Sequence, residues 1–275
     1  WDVAPTLVVV PLLTLMTLPL FFVAQREKRF DLAGIAACGL MLHFILAVHR
    51  FLSGFDVVVY DKEGNRIAEA LRHFNFGFDP GAAVPGTGGM NVVSGVVSVF
   101  TGNIAAKMII FAWLSFIGCY LLYRAFATAM PNADLHRYAI LVFLWPSLLY
   151  WPSSLGKDGW MLFTIGIASL GAARVLVRKA GGYSLMVVGL GLGSFVRPHV
   201  SLMMLLAFGV AFLIGRRVTE DPKLTPSSVA KVAGLIVLIA VGGLLVQRAV
   251  SVLDVNDFSG SSIDTALNTN VIRSN

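Results

Sequence analysis

Residues 104–124 read IAAKMIIFAWLSFIGCYLLYR, and this run decides the class of fold. It is a helix-length, mainly apolar segment closed by Arg124, and a bilayer crossing needs about 20 such residues. A soluble domain carries about 25% charged residues. This chain has only 13%, against 57% hydrophobic residues. Run length and composition together predict an all-α protein, a polytopic transmembrane helical bundle.

Working outward, similar segments lie near 4–24 and 32–52 on one side, and near 138–152, 160–177, 183–196, 200–215 and 231–248 on the other. The count is about eight spans, making 1–250 a transmembrane domain. The segments at 183–196 and 200–215 flank Arg197-Pro198-His199 and are short, which predicts tilt or kinking. Residues 251–275 form a polar segment rich in Ser, Asn and Asp, expected to be the start of an outer loop that continues further. The chain opens on Trp1 without a secretory leader pattern, which reads as a processed or trimmed start.

Charge sets the expected orientation. Placing Arg26, Lys28 and Arg29 inside also places Arg124, Arg174, Arg178, Lys179, Arg216 and Arg217 inside, as the bias of Lys and Arg toward cytoplasmic loops requires. The loop 53–103, Lys157, Arg197 and the 251–275 segment are then extracytoplasmic. The net charge of +6 reflects orientation and contact with membrane lipids. It does not indicate nucleic acid, because no basic, aromatic-interleaved soluble surface exists. Cys38 and Cys119 lie in separate apolar segments, which predicts two packed thiols and no disulfide framework or zinc site.

Within the loop, Tyr60–Arg72 places Ile67, Ala68, Ala70 and Leu71 opposite its charges. That pattern predicts an extracytoplasmic amphipathic helix lying on the membrane surface, tied by a Glu63–Arg66 pair. Residues 78–89 are dense in glycine and proline and exclude a regular helix. Met90–Phe100 is apolar but too short to span, and suits a re-entrant or interfacial segment.

Several polar groups gather near helix ends on the expected outer face. Asp56 stands among Phe55 and Val57-Val58-Val59, and a carboxylate held at the membrane interface among apolar side chains is costly unless it pairs or works. Lys157-Asp158 and Arg197 with His199 sit in short connections, beside the helix-breaking Pro146, Pro152 and Pro198. Arg supplies a bidentate fork and Lys a point charge for a phosphate. The plainer reading has these cations snorkelling to lipid headgroups and His199 in a structural role. His43 and His49 read as packing residues. Gly189, Gly191 and Gly193 lie within a span and read as close helix contacts, not a dinucleotide fingerprint. Gly156-Lys157 fails as a phosphate loop, with Trp151 at the first glycine position and Asp158 where Ser or Thr belongs.

One carboxylate and several cations suggest transfer from a lipid-linked phosphate donor, the carboxylate taking the acceptor's proton and the cations stabilising the departing phosphate. Polysaccharide polymerisation from lipid-linked repeats is the nearest alternative. A transporter or flippase, for which matched inverted repeats are expected and not found, and a non-catalytic scaffold subunit are the others.

The order of a span, Asp56-x-x-x-Tyr60, the 80–89 Gly/Pro stretch, 144-LWPSLLYWPSSLGKDGWMLF-163 and 197-RPH-199 resembles the GT-C glycosyltransferases of the protein-mannosyltransferase and aminoarabinose-transferase type. It looks closer still to polytopic proteins of actinobacterial polysaccharide loci. The resemblance covers about 50–215. It implies an enzyme of a bacterial cytoplasmic membrane, active on the extracytoplasmic face, that moves a sugar from a polyprenyl-phosphate-linked donor to a cell-envelope acceptor. It maps the family's catalytic acid onto Asp56, although the usual acidic pair reads Asp56-Val57 here and the family has more spans. Lys157, Arg197, His199, Tyr60 and Arg66 are the expected substrate and phosphate contacts. No cofactor is indicated, and the sequence leaves the metal requirement open.

Overall fold

The computed structural model describes residues 4–26, 30–53, 56–214 and 243. The described residues form helices and no strand. In chain order these are α1 (Ala4–Arg26), α2 (Phe30–Ser53), α3 (Asp56–Arg72), α4 (Thr87–Phe100), α5 (Ile104–Ala129), α6 (Leu135–Leu144), α7 (Pro146–Tyr150), α8 (Lys157–Leu176), α9 (Gly182–Ser194) and α10 (Pro198–Ile214). Among the described residues, three stretches are long and apolar enough to cross a membrane: Leu32–Phe51, Ile104–Ala129 and Lys157–Leu176. Pro5–Phe21, Leu135–Leu144, Gly182–Ser194 and Pro198–Phe212 are apolar but shorter. Three of the expected eight spans thus have full length among the described residues, and the 231–248 segment and the 251–275 tail lie outside them.

Helix α5 is the axis of the bundle. It buries Lys107, Phe111, Phe116 and Tyr123 almost completely and packs on α1, α2, α6 and α8. Its contact with α8 depends on missing side chains. A Cβ on Gly118 would lie 2.5 Å from the Leu162 carbonyl oxygen, and one on Gly166 would lie 2.6 Å from that of Gly118. Small residues let backbones approach where helices meet in lipid, because dispersion contact replaces the hydrophobic drive available in water. The contacts pair Ser115 with Gly159, Gly118 with Leu162 and Leu121 with Gly166. The numbers rise together, so α5 and α8 run parallel. Helix α9 runs antiparallel to α8, Gly189 against Ala168 and Gly171 against Met186. The expected role of Gly189 and Gly193 as close contacts holds. Gly191 instead faces open space.

The outward faces are apolar. On α2, Cys38, Met41, Ile45 and Val48 recur at helical spacing and are exposed, as are Leu7, Leu12 and Leu15 on α1 and Met203, Leu206 and Val210 on α10. Water would penalise such continuous stripes and lipid does not. This corrects one expectation: Cys38 belongs to the exposed stripe, whereas Cys119 is buried as expected. His43 is fully buried, donating from Nδ1 to the Gly39 carbonyl at 2.8 Å, and His49 lies against the Tyr150 ring.

Three boundaries move from their expected places. Helix α5 does not stop at Arg124 but runs to Ala129, because a cation at a helix C-terminus favours the macrodipole and does not end the helix. The segment 138–152 is interrupted at Trp145, whose extended backbone precedes Pro146 at the start of α7. Lys157 and Asp158 are not in a connection but form the first turn of α8.

Helices α3 and α4 form a separate pair at one end. Tyr60 and Gly64 meet Ser94, Ile67 meets Gly95, and Arg72 donates to the Ser98 carbonyl. The two therefore run parallel, and residues 73–86 return the chain alongside α3. The apolar face of α3, with Ile67 and Ala68 buried, is covered by α4. This corrects the expectation that the face lies on lipid; only Val58 and Val59 at its start stay exposed. Met90–Phe100, expected to be re-entrant, is most of the helix that covers it.

Candidate functional site

The N-termini of α5, α8 and α10 share one end of the bundle with the α3–α4 pair; it is called the upper end below. An apolar cluster holds this end together: Val57, Met90, Val93, Met108, Phe111, Leu155, Met161 and Val196 are buried in it, with the Tyr60 and Phe195 rings packed against it. It joins α3, α4, α5, the 151–156 turn, α8 and the α9–α10 corner.

The 151–156 turn is shaped by hydroxyls. Ser153 donates to the Leu149 carbonyl at 2.6 Å and Ser115 of α5 donates to that of Pro152 at 2.7 Å. A buried carbonyl outside a helix needs such a partner. Gly159 permits the approach, since a Cβ there would lie 2.8 Å from the Pro152 oxygen. The chain then enters α8 at Lys157 from an extended Gly156 with no side-chain cap. The first-turn N–H groups of α8 consequently form the positive end of its dipole.

Lys157 Nζ donates to Thr87 Oγ1 at 2.9 Å, across 70 residues of sequence. Thr87 opens α4, whose preceding residue Gly86 donates its N–H to the Phe195 carbonyl at 3.4 Å. Gly89 lets that carbonyl sit directly against the helix. At the same corner Arg197 Nη1 lies 2.9 Å from Asp158 Oδ1, and their side chains are 36% and 45% exposed. That exposure keeps both groups in reach of a ligand and makes the pair weak, since an exposed ion pair contributes about 0–1 kcal/mol. Lys157, Asp158, Thr87 and Arg197 thus form one open cluster with two cations and one carboxylate.

A second polar group lies between α3 and α5. Lys107 Nζ, fully buried, donates to Asp61 Oδ1 at 2.6 Å and to Asn65 Oδ1 at 2.8 Å, and Asn65 Nδ2 donates to Asp61 Oδ2 at 3.3 Å. It pins the α3–α4 pair to the bundle. The sequence reading assigned Lys107 no role, although a single cation inside an apolar run was itself a signal.

Of the expected site residues, Lys157 and Arg197 lie at the same corner, Lys157 bonded to Thr87 and Arg197 paired with the neighbouring Asp158. Tyr60 packs at the same end and accepts the Ser94 hydroxyl on its carbonyl at 2.8 Å. Asp56 is the first residue of α3, next to Val57 of the shared cluster; its side chain lies outside the described residues. His199 is half-buried in the first turn of α10. Arg66 is engaged in loop structure, with the expected Glu63 pair at 2.8 Å and a donor bond to the Asp79 carbonyl at 2.8 Å. Thr87 and the Asp158–Arg197 pair were not foreseen, because their partners are distant in sequence. Among the described residues no group of three His, Cys, Asp or Glu side chains is placed to hold a metal ion. No family model, no curated protein and no solved structure matches this chain, and its chemistry is read from the geometry itself.

Proposed function

We propose that this protein is a membrane glycosyltransferase that moves a sugar from a polyprenyl-phosphate-linked donor to a cell-envelope acceptor on the extracytoplasmic side. The observation that carries the reading is the meeting of Lys157 and Arg197, 40 residues apart in sequence, in one open cluster at the head of a lipid-facing bundle. A polyprenyl tail suits the apolar flanks, and its phosphate suits a bidentate guanidinium beside an ammonium and an uncapped helix start. The acceptor hydroxyl oxygen bonds to the sugar's anomeric carbon as the carbon–oxygen bond to phosphate breaks. Asp56 takes the hydroxyl proton, and Lys157 and Arg197 stabilise the charge left on the polyprenyl phosphate. His199 and Tyr60 stand at the same end to contact the sugar.

Polymerisation of lipid-linked repeats is the second reading. It is favoured by the engagement of Asp61, Glu63 and Asp158 in ion pairs, which sets the cations Lys157 and Arg197 above a carboxylate base in the chemistry of this end. The test is sugar transfer in membranes carrying the full chain. Transfer should fall at least about tenfold in Lys157→Ala and in Arg197→Ala, as loss of a charge-assisted contact implies. Asp56→Asn separates the readings: loss of transfer supports the base, and retained transfer with loss in the cation variants supports the polymerase. Wild-type transfer in all three removes both, leaving a transporter or scaffold.

A further inference from the structure

The α3–α4 pair has two unlike flanks. On α3 the residues turned away from α4 are Lys62, Arg66, Glu69 and His73, exposed and at helical spacing. On α4 the face toward α3 carries Ser94 and Ser98, both buried. Its opposite face carries Val92, Val96, Val99 and Phe100, of which Val96 and Phe100 are exposed. The chain leaving α3 brings two more rings to the same end, because Arg72 donates to the Ser98 and Val99 carbonyls and Phe74 and Phe76 follow shortly after it. Phe74, Phe76 and Phe100 are each between 73% and 85% exposed. Phe74 also holds a left-handed backbone at φ 53°, a conformation rare for a bulky side chain. Three phenylalanine rings thus stand largely outside the packing of the described residues.

Both ends of α4 are tied to the starts of spanning helices. Thr87, its first residue, accepts from Lys157 Nζ at 2.9 Å, and Lys157 opens the Lys157–Leu176 stretch. Phe100, its last, is followed shortly by Ile104, which opens Ile104–Ala129; even a fully extended chain covers only about 14 Å over that interval. A helix held at both ends on one level of the bundle runs along the bilayer surface and not across it. The 26 residues of Ile104–Ala129 rise about 39 Å, enough to cross the hydrocarbon core and reach into both headgroup layers. That length sets Ile104, and α4 with it, at headgroup depth.

We propose that Phe74, Phe76, Val96 and Phe100 enter the leaflet at the upper end, so that membrane lipid is the partner of this flank, while Lys62, Arg66, Glu69 and His73 face water. A helix with one charged and one apolar side lies in the interface with its apolar side sunk toward the acyl chains. Here the two sides come from two helices packed as one unit. Water would penalise the exposed rings as a patch, and the lipid that receives them is continuous with the lipid around the spans. The inference needs only the spans and is independent of the transferase reading. It gives the upper end a second hold on the membrane and keeps Thr87, with the Lys157 corner, at headgroup level.

The experiment is electron paramagnetic resonance on the full chain in vesicles of phosphatidylglycerol and phosphatidylethanolamine. A Cys38→Ala background leaves the buried Cys119 unlabelled, and a nitroxide is attached at Phe76→Cys, at Phe100→Cys or, as a control, at Lys62→Cys. All three positions are exposed, so the label displaces no packed side chain. Molecular oxygen, which partitions into lipid, should relax the labels at Phe76→Cys and Phe100→Cys more than a water-soluble nickel chelate does. The order should reverse at Lys62→Cys. The proposal is overturned if the chelate dominates at either phenylalanine position, which places that flank in water. It is equally overturned if neither reagent reaches those labels, which means that a second copy of the chain or another protein covers them.

Discussion

Replacing Lys107 by Met gives the most direct test of how the α3–α4 pair is held. The substitution keeps the length of the side chain and removes its charge, leaving Asp61 and Asn65 facing an apolar tip where Nζ had stood at 2.6 and 2.8 Å. Breaking a fully buried ion pair from one side costs about 3–5 kcal/mol. Asp61 is 20% exposed and recovers some solvation, which lowers the expected cost to about 2–3 kcal/mol. That is a local cost, because the pair joins α3 to α5, while the apolar cluster and the Thr87 and Gly86 bonds still hold α4 to the bundle. Hydrogen exchange of the α3 amides should accelerate by roughly 30- to 150-fold, at tenfold per 1.4 kcal/mol. The α5 amides near Phe116 should be unchanged. In the double variant Lys107→Met with Asp61→Leu, most of the loss should return, because the stranded carboxylate is gone. Unchanged α3 exchange in the single variant would refute the reasoning. So would a double variant whose loss is the simple sum of the two single ones.

Two further outcomes follow from the packing. Gly166→Ala places a Cβ 2.6 Å from the Gly118 backbone oxygen, which no side-chain rotation relieves, and should cost about 1–3 kcal/mol; thermal unfolding in detergent should drop by several degrees, whereas Gly191→Ala, facing open space, should be neutral or better. Cys38 should react with a lipid-soluble maleimide in intact membranes while Cys119 stays unlabelled until the protein is denatured, as their exposed and buried positions require; equal labelling would contradict the outward face assigned to α2.

Much of this was legible in the chain because membrane helices announce themselves locally. The apolar run at 104–124, the glycines at 189 and 193, the Glu63–Arg66 pair and the break at Pro146 are all properties of residues within a turn or two of one another. Cys38 was misplaced for an instructive reason: in a span, apolar residues occupy the lipid face as readily as the core, so hydrophobicity does not tell the two sides apart. The α3 stripe was assigned to lipid on the same ground, since a membrane surface and a covering helix ask for the same pattern.

Residue order and composition were enough to set the class of fold and the approximate helices, because both depend on local run length and on the cost of taking charge and backbone into lipid. Partnership was not contained there. That Lys107 meets Asp61, that Lys157 meets Thr87 and that Arg197 meets Asp158 depends on α5 and α8 running parallel, with α3–α4 and the α9–α10 corner folded over their N-termini. A polar pair roughly 40 to 70 residues apart leaves no periodicity to read, and only packing brings its two halves within 3 Å.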